Sequence, residues 1–493
     1  MTPLIVRVTE VGLNWLNLKK PPAPLILAGV GMLVLFFAMF LLIFRRGTKA
    51  PERSDPRTRG LLSVPTERAA PPPDHLREAP KVQSPSDESK AIAEAAAAAA
   101  AVAREHRTHN VMEDVSPSQP QAPSVTAPRG TDYPMPSAAV LAALRQGTVI
   151  PAHPLALNQN REFNERRMRA LTRYYLAAGV GGVAVAVHTT QFELRKPKHN
   201  LLRPVLSIVG SEVAAFEKAS GRSIVKIAGI CGVTHEAVAE ATVARDNGYD
   251  AGLLNLSAVP ESASEFDLIE HCKQIARVIP LVGFYLQPAI GGRALPYAFW
   301  RLFAEIPNVV AIKIAAFNRY STIDVMRAVA EAGRAIGHDT THPIAMYTGN
   351  DDNIVDDLLG DWSFDVNGKQ VSHRIVGGLL GQWACWTRAA VDVFESLKHV
   401  NQNGSIPIAS AALNRQVTDM NAAVFDAANN FKGCIPGIHE VLRRQGLLDN
   451  TLCLDGHVFL SPGQADAITR VRKAYPHLTD DDFVAQHRDE WLR

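Results

Sequence analysis

Residues 138–381 are predicted to fold as a (β/α)8 TIM barrel, an α/β fold. Short runs rich in β-branched residues alternate eight times with longer segments of helical periodicity. This alternation is typical of parallel strands joined by helices, and eight strands are enough to close a barrel. An open, doubly wound sheet would carry a glycine-rich phosphate loop after its first strand, whereas residues 153–160 read HPLALNQN. The sequence therefore favours the closed barrel.

The eight predicted strands are short and evenly distributed along the chain. They are TVIPAH (148–153), GGVAVAVHTT (181–190), SIVKIAG (223–229), DAGLLNLS (250–257), PLVGFYLQP (280–288), NVVAIKIA (308–315), PIAMYTG (343–349) and RIVGGLLG (374–381). Helical patterns fill the intervals between them. In one of these, Ser262 and Glu265 are expected to form a capping box for a helix that runs to residue 278. Residues 382–493 are predicted to be a C-terminal helical extension.

The residues before the barrel differ in character. Residues 24–44 contain no charge over 21 positions, which is long enough for a transmembrane helix after a short segment, 1–23. Basic residues are denser after this segment than before it, so the barrel is expected to be membrane-anchored on the cytoplasmic side. Residues 45–137 are rich in proline and alanine and are predicted to be a low-complexity, disordered linker. Met135 is an alternative start, and a chain beginning there would be cytoplasmic.

Composition argues against several classes of function. The 493 residues carry a net charge of +2, so the chain lacks the basic excess expected of a nucleic-acid-binding protein. Its five cysteines are scattered, and none has the spacing of a zinc site or a disulfide framework. No metal and no organic cofactor are predicted.

Lys313 is unusual because it interrupts the apolar run NVVAIKIAAFN (308–318). Strand alternation places Lys313 on the same face as Ala311 and Ala315, opposite Val310 and Ile314. The face with the small residues is expected to line the barrel interior. Burial lowers the pKa of a lysine, and a neutral amine attacks carbonyl carbon to form a Schiff base. The alternative is a structural ion pair between Lys313 and an interior carboxylate.

IAG (227–229), YLQP (285–288), VVAIK (309–313) and TGNDD (348–352) occur in this order along the chain. With these motifs, about residues 145–395 resemble the dihydrodipicolinate synthase / N-acetylneuraminate lyase family of class I aldolases. VVAIK (309–313) is similar to the family's V-x-x-I-K, IAG (227–229) to its third strand, YLQP (285–288) to Y-N-x-P and TGNDD (348–352) to S-G-D-D. The resemblance implies that Lys313 forms the Schiff base and that Thr189 and Thr190 bind the carboxylate of a 2-keto acid. It also places Tyr285 in the position of a proton-relay tyrosine and implies a homo-oligomer.

The sequence also departs from the family pattern. The stretch SAVPES (257–262) stands where the family carries a tyrosine that shuttles protons. His188, Gln191 and Phe192 replace the glycines and glutamate of the family's G-T-T-G-E. Tyr285, His188 or a water molecule would then have to transfer the protons. Because of these departures, the resemblance predicts neither aspartate semialdehyde nor sialic acid as the substrate.

Three further positions have two interpretations each, and a pair of aspartates has one. His188 contacts substrate or is a buried core histidine; Asn255 contacts substrate or shapes its loop. Gly377, in GGLLG (377–381), forms part of an anion-binding backbone nest or allows close packing. Asp351 and its neighbour Asp352 are expected to cap the helix that follows the seventh strand.

The sequence therefore predicts a Schiff-base lyase, aldolase or hydro-lyase acting on a small 2-keto acid such as pyruvate. Lys313 and Tyr285 are the catalytic candidates, and Thr189, Thr190, His188, Asn255 and Gly377 are the substrate-binding candidates. The alternative is a non-catalytic, membrane-tethered barrel that acts as a binding or scaffolding protein.

Overall fold

The computed structural model describes residues 133–493 except 339 and 341. Eight strands form one parallel sheet in the order β1-β10-β7-β6-β5-β4-β3-β2, and a parallel bridge from Ala152 to Ala184 joins its two ends. The strands are β1 (Val149–Pro151), β2 (Gly182–Val185), β3 (Val225–Ile230), β4 (Ala251–Leu254), β5 (Leu281–Leu286), β6 (Val309–Ala315), β7 (Ala345–Thr348), β8 (Trp362–Val366), β9 (Lys369–His373) and β10 (Ile375–Leu380). The predicted (β/α)8 barrel is confirmed.

Helices follow the strands around the barrel and continue beyond it. In the described part of the chain they are α1 (Ala138–Gln146), α2 (Glu165–Ala178), α3 (Leu202–Ser220), α4 (Thr234–Asp246), α5 (Glu265–Ala276), α6 (Tyr297–Phe303), α7 (Arg319–Glu331), α8 (Ile354–Leu358), α9 (Thr387–Gln402), α10 (Ala409–Val424), α11 (Cys434–Arg444), α12 (Gln464–Ala474) and α13 (Asp481–Trp491). Helices α9 to α13 form the predicted C-terminal extension.

Two apolar layers hold the barrel together. The inner layer comes from alternate residues of the strands, and the outer layer packs the sheet against the helices. Helix α1 contributes Val140 and Leu144 to the inner layer, and the carbonyl of Leu144 accepts a hydrogen bond from the Tyr347 hydroxyl at 3.0 Å. The amino-terminal end of the barrel is therefore covered by α1.

The predicted alternation along β6 fails at one residue. The register between β5 and β6 shifts after the first pair, so that Leu281 pairs with Val309 and Val282 pairs with Ala311. Val310 is the extra residue of this irregularity and packs in the inner layer beside Ala311, although the alternation placed it outside. From Ala311 onward the alternation holds, and Ile312 and Ile314 belong to the outer layer.

Two local features differ from the sequence predictions. A hairpin of β8 and β9 is inserted before the last barrel strand, and its turn residues Asn367 and Gly368 have φ values of 54° and 78°. An Asn-Gly pair is a strong hairpin signal because both residues tolerate positive φ. The helix α5 begins at a capping box of Ser264 and Asp267, so the predicted pair Ser262 and Glu265 was two residues too early.

The C-terminal extension covers the carboxyl ends of the barrel strands. The backbone N–H of Leu454 donates to the side-chain oxygen of Gln191, just beyond β2, at 2.6 Å. Phe431 packs edge-on against Phe317, just beyond β6, with ring centroids 5.7 Å apart. The end of the barrel where active sites form is thus roofed by this extension.

The predicted transmembrane segment, 24–44, and residues 45–132 of the predicted linker lie outside the described residues. Among residues 133–493, no helix has both the length and the apolar character needed to cross a bilayer.

Candidate active site

Lys313 lies on the inner face of β6, in register with Phe284 of β5 and Tyr347 of β7. Its side chain is only 7% exposed and lines a cavity at the carboxyl ends of the strands. The amine nitrogen Nζ lies 4.6 Å from the centroid of the Phe284 ring. Among the described residues, no carboxylate oxygen lies within 4.0 Å of this nitrogen. The amine is therefore enclosed without a direct ion pair.

A glycine makes room for the lysine stem. A Cβ built on Gly349, immediately after β7, would lie 2.6 Å from Cε of Lys313 and 2.9 Å from the Cβ of Ala315. Both distances are below any ordinary contact between carbon atoms. Gly349 therefore lets the aliphatic stem of Lys313 cross toward the cavity.

Asp351 lines the same cavity and is 5% exposed. Its Oδ1 accepts the backbone N–H of Gln382 at 2.7 Å, which fixes the carboxyl group. Burial raises the pKa of Asp351 well above its ordinary value, and the nearby Lys313 opposes that rise. Burial likewise lowers the pKa of Lys313, and Asp351 opposes that shift. Burial thus favours the neutral form of both the Lys313 amine and the Asp351 carboxyl group.

The predicted role of Asp351 as a helix cap was wrong, because its carboxyl group points to Gln382 and the cavity. The N-cap position of α8 is held by Asn353, and Asp352 forms an ion pair with Arg319 at 3.5 Å. The signal for this site was present in the sequence: TGNDD directly follows a barrel strand, and polar residues there reach the mouth of the barrel.

A buried polar network fixes the loop that carries Asp351. Asp357 accepts hydrogen bonds from Thr348 at 2.7 Å and from Asn350 at 2.8 Å, and it pairs with Arg319 at 2.7 Å. The side-chain oxygen of Asn350 accepts the N–H of Phe317, which has a φ of 50° and lines the cavity. A non-glycine residue in this conformation is strained, and such strain clusters at functional sites.

The turn after β2 brings His188 and Thr189 to the cavity. The turn begins at Ala186, which has a φ of 60°, and the missing side chain of Gly229 allows the Ala186 carbonyl to approach. Burial and the neighbouring Lys313 lower the pKa of His188 to about 4, so the imidazole is neutral at pH 7.

The two predicted threonines have different positions. The Thr189 hydroxyl donates to the carbonyl of Ala152 at 2.8 Å, and the residue lines the cavity. The Thr190 hydroxyl donates to the carbonyl of His153 at 2.6 Å and accepts the N–H of Val187. Thr190 is fully buried and does not line the cavity. It fixes the turn, so the expectation of a direct substrate contact does not fit its place.

Tyr285 does not lie in the cavity. Because Phe284 points inward, strand alternation turns Tyr285 outward, where its ring stacks on Trp300 with centroids 5.5 Å apart. Its hydroxyl approaches Ser321 and the N–H of Leu295, each at 3.4 Å. The predicted role of Tyr285 as a proton relay does not fit this position.

Asn255 and Gly377 also lie away from the cavity lining. The Asn255 side-chain oxygen accepts the N–H of Ser257 at 2.9 Å and so shapes its own loop. Gly377 lies inside β10, and a Cβ there would meet the Tyr347 ring at 2.6 Å and Thr148 backbone at 2.7 Å. Its position therefore favours close packing, the second of the two interpretations, over an anion-binding nest. Gly381, at the other end of the motif, does line the cavity.

The cavity roof was not predicted from the sequence. Phe425 follows α10 in the C-terminal extension, is 4% exposed and lines the cavity. A Cβ on Gly381 would come within 2.7 Å of its ring, so this glycine admits the aromatic side chain. Most of the remaining lining is apolar, contributed by Ala152, Val187, Leu286, Ile290 and Ala315.

Comparisons with known proteins agree with the barrel fold. Residues 145–356 match the model of the Dihydrodipicolinate synthetase family. A dihydrodipicolinate synthase from Aquifex aeolicus is 17% identical, with a TM-score of 0.52, over 68% of this chain and 99% of its own. A prophage protein of the dihydrodipicolinic acid synthase family from E. coli K12, solved with pyruvate, is 16% identical over the same shares, with a TM-score of 0.52.

An N-acetylneuraminate lyase from Fusobacterium nucleatum, also solved with pyruvate, is 16% identical over 68% of this chain and 98% of its own, with a TM-score of 0.51. No curated protein sequence matches this chain. At these identities the solved structures establish the fold, and the match of residues 145–356 shows a resemblance to the family. By that match, the barrel of this chain resembles the Dihydrodipicolinate synthetase family.

Proposed function

We propose that this protein is a class I lyase or aldolase in which Lys313 forms a Schiff base with a small 2-keto acid such as pyruvate. The observation that carries the proposal is the buried Lys313 amine, which has no ion-pair partner within 4.0 Å among residues 133–493 and lies in a cavity at the carboxyl ends of the strands. Two structural neighbours were solved with pyruvate, which supports this class of substrate.

The proposed chemistry begins with the neutral amine. Burial lowers the pKa of Lys313, so a larger fraction of the amine is unprotonated at neutral pH than for an exposed lysine. Its lone pair attacks the ketone carbon, and loss of water gives an iminium ion. The iminium ion then accepts the electron pair of an adjacent carbon–carbon or carbon–hydrogen bond as that bond breaks.

The cavity lining favours a small substrate with little polar surface beyond its keto-acid group. Thr189 is the lining residue with a hydroxyl, and we assign it to the substrate carboxylate, toward which the hydroxyl would turn from the Ala152 carbonyl, with Thr190 holding the turn from behind. Lys313 and His188 are the lining residues with a basic side chain, and burial keeps His188 neutral at pH 7. A second carboxylate on the substrate would thus be left without a cationic partner in the described cavity.

The competing function is a barrel that binds or scaffolds without catalysis. Two observations favour it. Asp351 is an interior carboxylate of the kind that this alternative requires, and no tyrosine lines the described cavity. The pKa of Lys313 distinguishes the two functions. An enzyme needs the lowered value that burial produces, whereas a structural ion pair would raise the pKa above that of a free lysine.

Reductive trapping tests the proposal. The protein is incubated with a panel of 2-keto acids and sodium borohydride, and the modified peptide is identified by mass spectrometry. We expect a pyruvate adduct on Lys313. Lys226 is the internal control, because it also lies on a barrel strand and is largely buried but pairs with Glu217 at 3.4 Å and Asp250 at 3.8 Å. Absence of an adduct with every keto acid would argue for the binding function.

Three further expectations from the sequence remain proposals. The chain is proposed to be anchored in a membrane through residues 24–44, with the barrel in the cytoplasm. It is also proposed to assemble as a homo-oligomer. Sedimentation of a chain that begins at residue 138 tests the assembly, and a monomer would contradict it.

A further inference from the structure

Among the described residues, no tyrosine hydroxyl lines the cavity, although the resemblance assigns proton transfer to a tyrosine. Phe284 occupies the inward position beside Lys313, and Tyr285 faces the helices. Formation of an imine nevertheless requires proton transfer, because the carbonyl oxygen must leave as water. Some other group close to Lys313 therefore has to supply and accept protons.

The side chains in the described lining that can exchange a proton, besides Lys313, are Thr189, His188 and Asp351. The Thr189 hydroxyl already donates to the Ala152 carbonyl at 2.8 Å, and a hydroxyl is a weak acid. His188 is a poor proton donor at pH 7, because its pKa is lowered to about 4. Asp351 is the remaining candidate.

The geometry of Asp351 suits a proton-transfer group. One carboxyl oxygen is held by the N–H of Gln382 at 2.7 Å, so the group has a fixed orientation. The other oxygen has no hydrogen-bond partner among the described residues, and the carboxyl group borders the cavity that contains the Lys313 amine. Burial raises the pKa of Asp351, which favours a protonated acid nearer neutral pH than a surface aspartate would be.

We propose that Asp351 is a catalytic residue that transfers protons to and from the substrate oxygen while Lys313 forms its imine. This inference rests on the proposed Schiff-base function and extends it. Asp351, in the loop after β7, would transfer the protons that the resemblance assigns to a tyrosine.

The proton balance closes with these two groups alone. The neutral amine of Lys313 attacks the ketone carbon, a C–N bond forms, and the carbonyl electron pair moves to oxygen. Protonated Asp351 gives its proton to that oxygen, and the carboxylate then takes one proton from the new ammonium nitrogen, which leaves a neutral carbinolamine. Asp351 protonates the hydroxyl group, the C–O bond breaks, and water leaves. The products are an iminium cation, water and the Asp351 carboxylate beside that cation.

The test compares two reactions of Lys313 in the full-length protein and in Asp351→Asn. Acetylation by acetic anhydride requires only a neutral amine, whereas trapping with pyruvate and cyanoborohydride also requires loss of water. The asparagine keeps an oxygen for the Gln382 N–H and nearly the same volume. Asp352→Asn is the matched control, because Asp352 is the adjacent carboxylate but pairs with Arg319 away from the cavity.

The direction of the effect separates catalysis from simple electrostatics. The Asp351 carboxylate raises the pKa of Lys313, so its removal frees more neutral amine, and acetylation of Lys313 should be unchanged or faster. Trapping with pyruvate should nevertheless slow by about 10²-fold or more, within the range of general acid–base catalysis. Asp351→Glu, which keeps an acid, should recover part of the rate, and Asp352→Asn should react like the wild type.

Trapping that is unchanged or faster in Asp351→Asn would overturn the proposal and leave the Schiff-base function standing. If the wild type forms no adduct with any keto acid, the Schiff-base function fails, and formaldehyde with cyanoborohydride replaces pyruvate. A slower formaldehyde reaction relative to acetylation in Asp351→Asn would then still support proton transfer by Asp351. Equal ratios of formaldehyde trapping to acetylation in Asp351→Asn and in the wild type would exclude proton transfer by Asp351. Should Asp351→Asn fail to fold, Asp351→Ala takes its place, and an unchanged ratio of trapping to acetylation in that variant overturns the proposal.

Discussion

Lys313 and Phe284 face each other across adjacent strands, with the amine nitrogen 4.6 Å from the centroid of the phenyl ring. The ring covers one side of the amine and offers no hydroxyl group. An aromatic face attracts a protonated amine weakly, so it opposes part of the pKa decrease that burial causes. The position therefore shields the nucleophile but leaves proton transfer to other residues of the cavity.

Lys313→Met is expected to abolish reductive trapping without unfolding the protein. Methionine fills most of the space of the lysine stem but has no amine, and replacing a buried charge with an apolar group is often neutral or stabilising by about 1–4 kcal/mol. Mass spectrometry of the trapped protein and urea unfolding measure the two effects. Lys313→Arg is the control that keeps the charge, and an adduct on any other residue of Lys313→Met would contradict the assignment.

Gly349→Ala is expected to displace Lys313 and to lower the rate of trapping by at least tenfold. The added methyl group would lie 2.6 Å from Cε of Lys313 and 2.9 Å from Ala315, so the lysine stem has to move out of its path. Overpacking of this kind costs about 1–3 kcal/mol of unfolding free energy. The control is Gly456→Ala, whose methyl group would meet no atom within 4 Å. Equal trapping rates in the two variants would show that the stem does not depend on Gly349.

The sequence predicted the barrel and the inward lysine because both depend on local periodicity. Alternation along β6 is sufficient to orient Lys313 relative to Ala311, and it failed only at Val310, where the register shifts. The position of Tyr285 could not be predicted by matching a motif, because one residue of difference in a strand turns a side chain to the opposite face. Phe284 occupies the inner face instead.

The remaining features of the site depend on contacts between residues far apart in the chain. The Asp351 carboxyl group is oriented by Gln382, 31 residues later, and the cavity is roofed by Phe425 from the C-terminal extension. Periodicity within one element carries no information on such contacts. The turn between β8 and β9 is different, because the adjacent residues Asn367 and Gly368 are themselves a local hairpin signal.

Phe425→Leu is expected to raise the pKa of Lys313 toward its ordinary value. The smaller side chain opens the roof of the cavity, water reaches the amine, and the desolvation that lowers the pKa weakens. The pH dependence of Lys313 acetylation, followed by mass spectrometry, should shift to higher pH. Phe459→Leu is the control, since Phe459 is 66% exposed and does not line the cavity. An unchanged pH profile of Lys313 acetylation in Phe425→Leu would mean that the C-terminal extension does not exclude water from the amine.

Full-length protein is expected to sediment with membranes, whereas a chain beginning at residue 138 is expected to remain in the supernatant. The reason is the uncharged segment 24–44, whose 21 residues are sufficient to span the hydrocarbon core. Fractionation of expressing cells, followed by extraction with carbonate and with detergent, measures the difference. Equal distribution of the two chains between the membrane pellet and the supernatant would contradict the proposed membrane anchor.

The stability of the folded protein should depend on pH through Asp351. Because its pKa is raised on folding, the folded state keeps the proton above pH 3.8, where the unfolded chain releases it. The stabilising contribution is therefore fully present below that value and is lost as the pH rises through the raised pKa. Urea unfolding between pH 4 and 8 should show this decrease in the wild type, with a slope of at most about 1.4 kcal/mol per pH unit from this one group.

Asp351→Asn should remove that slope. The free energy of unfolding of the variant should therefore increase relative to that of the wild type as the pH rises. Asp419→Asn is the control, because the Arg470 side chain lowers the pKa of Asp419 below 3.8 and its contribution is lost only as the pH falls below that value, so this variant and the wild type should have parallel profiles between pH 4 and 8. If Asp351→Asn and the wild type had parallel pH profiles, Asp351 would have the pKa of an ordinary aspartate. The carboxyl group would then be ionised at neutral pH, and the proton donor assigned to the imine step would be absent.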